Sequence, residues 1–106
     1  MALVRERDVE KYLVQEMEKL GLACIKFVPE QLPGMPDRMV LLEDGRVMWV
    51  ELKTKGGRLS AIQKYRHEWL RKQGHGVWIV WDRGQVDAMV REMVYSRERI
   101  EEIAKE

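Results

Sequence analysis

Two apolar runs flanking Glu43-Asp44-Gly45-Arg46 constrain this chain more than any other stretch. The segment from Gly34 to Lys53 reads G-M-P-D-R-M-V-L-L-E-D-G-R-V-M-W-V-E-L-K. It has the pattern of a hairpin, because acidic residues and a glycine break the aliphatic runs where the chain must reverse. Loop length sets the register. A two-residue turn at Asp44-Gly45 would oppose Leu42 to Val47 and Asp37 to Leu52, separating Asp37 from Glu51. A three-residue loop, Glu43-Asp44-Gly45 with Gly45 left-handed in a G1 bulge, instead pairs Leu42 with Arg46 and Asp37 with Glu51.

In the second register Met39, Leu41, Val47 and Trp49 share a face with Asp37, Glu51 and Lys53. Val40, Leu42, Met48, Val50 and Leu52 share the other. Both faces are apolar, so helices must cover both, which predicts an α/β layer arrangement. Directly opposed side chains have Cβ atoms roughly 5 Å apart, where two carboxylates repel unless a proton or cation lies between them. Oxygen ligands of this kind suit Mg²⁺ or Mn²⁺, with water and substrate phosphate filling the other positions.

Pro36-Asp37, thirteen intervening residues and then Glu51-Leu52-Lys53 resemble the signature of the PD-(D/E)XK nucleases. With Gly34 ahead of it and G-R-L-S-A-I-Q from Gly57 to Gln63 behind it, the pattern is most similar to the stand-alone VRR-NUC (virus-type replication-repair nuclease) domain. The resemblance extends from a glutamate on the first helix to the strand at Val77. It implies a restriction-endonuclease-like αβββαβ core, with a mixed four-stranded sheet and helices on both faces. It further implies a Mg²⁺- or Mn²⁺-dependent DNA endonuclease with Asp37, Glu51 and the Leu52 carbonyl as metal ligands and Lys53 as a catalytic group. Glu10 and Gln63 complete the implied site, and the stand-alone members suggest a homodimer cutting branched DNA such as a Holliday junction. Flaps, linear duplex, or DNA binding without turnover are the alternatives.

With 106 residues, 45% of them hydrophobic and 35% charged, one globular domain over residues 1–106 is expected, and a disordered chain is excluded. No apolar stretch approaches a membrane span, and M-A-L-V-R-E-R-D lacks the apolar core of a signal peptide. The single Cys24 cannot form an internal disulfide. A reducing cytoplasm is therefore the expected compartment, and phage or prophage coding fits the resemblance. No organic cofactor or membrane partner is expected.

Net charge is only +1, but it is unevenly spread. From Lys53 to Lys72, Lys53, Lys55, Arg58, Lys64, Arg66, Arg71 and Lys72 face one acid, Glu68. The stretch is either a phosphate-binding patch or a solvated helix face. Gly34, Lys55, Arg58, Lys64 and His67 are the residues expected at nucleic acid.

Along the chain, helical spacing runs from about Arg5 to Leu20 and ends at Gly21. On this helix Glu10 flanks the apolar stripe, with Glu6 as the competing carboxylate. Ala23 to Val28 reads as a strand, and residues 29–36 as a loop with three prolines. There Gly34 serves either a turn or close approach of the backbone to phosphate. A second helix is predicted from Ser60 to Gln73, where Gln63 is either the partner in a capping box or an amide aimed at the site. His67, four residues on, is read as a surface histidine or a phosphate contact, and His75 as a turn residue. Trp49, Trp69, Trp78 and Trp81 are read either as base-stacking rings or, from their core spacing, as packing residues, with Trp49 on the carboxylate face.

Val77 to Trp81 reads as a buried strand parallel to the one ending at Lys53. A third helix follows Asp82 to Gln85. From Ser96 onwards a charged segment carries Ile100 and Ile103, which would fold back or meet a partner.

Overall fold

The computed structural model describes residues 5–54 and 56–105, with the side chains of Ser96 and Ile100 outside that description. Helix α1 (Glu6–Lys19) forms where Val9, Leu13 and Met17 recur at helical spacing, and it buries all three. It ends in a Schellman closure, Gly21 N–H donating to the Glu18 carbonyl at 2.9 Å and Leu22 N–H to that of Met17 at 3.0 Å.

Strands β1 (Ala23–Lys26), β2 (Arg38–Leu41), β3 (Val47–Leu52) and β4 (Gly76–Val80) lie in the order β1-β2-β3-β4. The first two pairings are antiparallel and the third is parallel. Between β3 and β4 runs α2 (Ala61–Lys72), and α3 (Arg83–Ala104) closes the chain. This is the expected αβββαβ order and mixed sheet, with one further helix.

The hairpin takes the register that unites the acids. Met39 lies opposite Trp49 and Arg38 opposite Val50, which continues to Asp37 opposite Glu51. Gly45 has φ +87, a left-handed conformation that costs a residue with a Cβ more than it costs glycine. Its N–H donates to the Leu42 carbonyl at 3.1 Å, while Leu42 N–H donates to that of Arg46 at 2.9 Å. The reversal is thus the three-residue loop that the sequence allowed.

One face of the sheet carries the main core. Val40, Met48, Val50, Leu52 and Val80 pack with Val9, Leu13 and Met17 of α1 and with Val86 and Met89 of α3. Full burial of such an aliphatic side chain contributes about 1.5–3 kcal/mol. Tyr12 donates a hydrogen bond to Asp87, tying the two helices together. On the opposite face α2 covers the sheet, with His67 and Leu70 buried. Trp49 is 6% exposed there, edge-on to Phe27 at 5.1 Å between ring centroids.

Two expectations need correction. Residues 96–104 neither fold back nor form a separate segment, because α3 continues through them as one 22-residue helix. Ile103 on its last turn is 53% exposed, and the part expected of the Ile100 side chain lies outside the described residues. Trp69 and Trp81, expected in the core, are 36% and 37% exposed.

Candidate functional site

Asp37 sits one residue before β2 and Glu51 near the end of β3, so their opposition falls where the paired strands stop and the sheet opens. Asp37 Oδ2 accepts the Leu52 N–H at 2.7 Å, filling a backbone position that β2 is too short to pair. The two carboxyls lie within hydrogen-bonding reach of each other. Burial, and then the hydrogen bond with Glu51, push Asp37 up to about 6. Burial raises Glu51 as well, partly offset by Asp37 and by the Lys53 ammonium. Lys53 N–H donates to the Val80 carbonyl at 3.0 Å, which anchors its backbone at the strand end.

Glu51 has a partner that the sequence did not disclose. His67 Nε2 lies 3.0 Å from Glu51 Oε1, and both residues are buried. Burial, and then the charge of Arg71, hold the imidazole below its ordinary pKa, so the ring is neutral and Nε2–H donates. Nδ1, which has no partner among the described residues, then bears a lone pair and not an unpaired proton. The reading of His67 as a surface or phosphate-contacting residue is therefore corrected. Its helical spacing from Leu70, three residues on, was the available signal.

Other members of the expected site go elsewhere. Gln63 completes the capping box: its Oε1 accepts Ser60 N–H at 2.9 Å, and Ser60 Oγ accepts Gln63 N–H at 3.2 Å. That engagement favours the cap over an active-site role. Glu10 is held by Arg38, whose Nε donates to Glu10 Oε2 at 2.9 Å. Of the α1 carboxylates it is Glu6 whose charge raises Glu51. Gly34 has φ +85, and a Cβ there would come within 2.4 Å of the Ile62 carbonyl oxygen, so the turn and its close approach to α2 both call for glycine. Arg66 reinforces this contact, its Nε donating to the Pro33 carbonyl at 3.1 Å. Arg58 and Lys64 are exposed, while Lys55 lies outside the described residues.

The donor set fits a small hard cation. Two carboxylates converge, both with raised proton affinity, and a positive ion between them would remove their mutual repulsion. Among the described residues no three His, Cys, Asp or Glu side chains group to hold an ion. Asp37, Glu51 and the Leu52 carbonyl would thus supply a partial shell, leaving room for water and phosphate as Mg²⁺ requires. A cavity of about 530 Å³ lies at the other end of the hairpin among Leu42, Arg46, Met48, His75, Trp78 and Met93. Neither acid lines it.

Comparison with known proteins places the fold. No model of a protein family matches the sequence. "Putative nuclease p44" of Acyrthosiphon pisum secondary endosymbiont phage 1 is 39% identical over 80 residues, covering 76% of this chain and 86% of that relative. A solved VRR_NUC domain superimposes with a TM-score of 0.75 at 33% identity, covering 81% of this chain and 94% of that one. The fold and its paired acids define a nuclease domain of the PD-(D/E)XK class. Within that class, the chain belongs to the VRR-NUC family.

Proposed function

We propose that this protein is a divalent-cation-dependent DNA endonuclease that hydrolyses phosphodiester bonds in branched DNA, Holliday junctions included, as a homodimer. The observation that carries the reading is the convergence of the Asp37 and Glu51 carboxyls at the open end of the sheet, beside the charge of Lys53. Asp37 is fixed by the Leu52 N–H and Glu51 by His67, so both acids are oriented before substrate arrives. Lys53 stands at the same strand end, where its ammonium orients the attacking water or stabilises negative charge developing on the phosphate. Mg²⁺ or Mn²⁺, when bound by Asp37, Glu51 and the Leu52 carbonyl, supplies Lewis-acid stabilisation and a nucleophile available at neutral pH. Water adds to phosphorus, one P–O bond breaks, and the products are a phosphate monoester and a free hydroxyl. Two copies about a twofold axis would present two such sites to a symmetric junction.

The engagement of Gln63 in the helix cap and of Glu10 by Arg38 favours one rival, a DNA-binding module without turnover. Cleavage of four-way, flap and linear DNA with and without Mg²⁺ or Mn²⁺ separates them, with Asp37→Ala and Glu51→Gln as controls. Cation-dependent cutting that both substitutions abolish supports the endonuclease. Binding without cutting supports the rival.

A further inference from the structure

Helix α2 turns His67 and Leu70 inward, yet its outer face is not a plain solvated surface. Ile62, Tyr65 and Trp69, spaced i, i+3, i+7, are 43%, 61% and 36% exposed. Arg66 is ordered by the Pro33 carbonyl, and its guanidinium carbon lies 5.4 Å from the Tyr65 ring centroid and 4.9 Å from that of Trp69. Tyr65, Glu68, Trp69 and Lys72 line a shallow depression of about 140 Å³. Arg66 and Lys72 flank these rings, and over the whole helix Lys64, Arg66, Arg71 and Lys72 outnumber the one acid, Glu68.

We infer that this outer face of α2 stacks unpaired nucleobases, so that the DNAs preferred by the enzyme carry a single-stranded arm beside the scissile bond. The inference rests on the nuclease reading and narrows its substrate class. Aromatic rings interleaved with cations are the chemistry by which single strands are held, the rings taking base faces and the cations taking phosphates. A fully stacked duplex offers phosphates but no free base face, so it can use the cations alone. The other candidate occupant is a second copy of this chain. Twofold packing of this face on itself would bring Arg66 and Lys72 near the same residues of the other copy, and like charges oppose that pairing. A single strand has the complementary charge. The face also belongs to the helix whose inner side holds Glu51 through His67, so a strand bound outside is referenced to the same rigid element as the acids.

The test is fluorescence anisotropy in EDTA, with a blunt duplex and with the same duplex bearing a single-stranded arm, on wild type, Tyr65→Ala/Trp69→Ala and Tyr65→Phe/Trp69→Phe. Both target residues are exposed, and circular dichroism checks that each variant is folded. Wild type should bind the armed duplex about tenfold or more tighter than the blunt one. The alanine pair should lose most of that preference while blunt-duplex binding changes little, and the phenylalanine pair should keep it. Equal binding of the two DNAs by wild type, or a preference untouched by the alanine pair, overturns the inference. Sedimentation in which only the alanine pair changes mass assigns the face to a second copy and also overturns it. Cation-dependent cleavage is scored separately, so an enzyme that cuts without arm preference sinks this inference alone, and one with arm preference that never cuts sinks the nuclease reading alone.

Discussion

Glu51 and His67, sixteen residues apart in sequence, meet at 3.0 Å in a contact whose side chains are only 2% and 1% exposed. Removing the imidazole would leave a carboxylate oxygen buried without a donor. His67→Leu is expected to lose about 3 kcal/mol of stability, with a further loss of cleavage because Glu51 is no longer oriented. His67→Gln, whose amide can donate in its place, should recover part of both. Urea denaturation and single-turnover cleavage read the two effects separately.

Asp37 gives the cation-free protein a specific pH dependence. Its folded pKa, about 6, is above the ordinary 3.8, so between these values the folded state holds more protons than the unfolded state. That contribution to stability is full below the lower value and is lost as pH rises through the upper one. Asp37→Asn, which still offers an oxygen to the Leu52 N–H, should therefore be more stable than wild type at pH 7.5 in EDTA by about 2 kcal/mol. The advantage should close as pH falls towards the ordinary value, and Mn²⁺ should stabilise wild type but not the variant. Thermal melts across pH test all three outcomes.

Gly34→Ala should be costly out of proportion to a methyl group. The new Cβ would meet the Ile62 carbonyl oxygen at 2.4 Å, and φ is +85, so both packing and backbone oppose it. A loss of about 2 kcal/mol or more is expected, measured by chemical denaturation. Cleavage should fall as well, since the same loop delivers Asp37.

Gln63→Ala should cost about 1 kcal/mol, the value of a helix cap, and Gln63→Glu should keep the capping box and most of that stability. A drop in turnover beyond what this small destabilisation explains, measured well below the melting temperature, would show that the amide serves the reaction and not only the helix.

Much of the fold could be read because its signals are local. Gly21 and Gly74 sit just past the ends of α1 and α2, and Ser60 with Gln63 marks where α2 begins. The hairpin register was one of two allowed by the loop, and the apposition of Asp37 with Glu51 follows from it. The partners of the long polar side chains were not legible in the same way. Glu10 could face Arg38 or the acids, and only the packing of α1 against the sheet decides. His67 carries no signal that names a residue sixteen positions away, and the close contact of Gly34 with Ile62 joins segments separated by two strands. The exposed stripe on α2 has the spacing of a core face, so periodicity alone assigns it wrongly. Which side of a helix is covered depends on what packs there.

The reversal at Glu43-Asp44-Gly45 also sets a counting rule for the whole hairpin. Adding or deleting one residue there, roughly 17 Å of strand away from Asp37, would exchange inside for outside along one arm and carry one acid to the far side of the sheet, leaving every site residue present in the sequence. Homologous chains with different turn lengths are therefore informative by parity: those that keep the site must restore the alignment with a second change in the same hairpin.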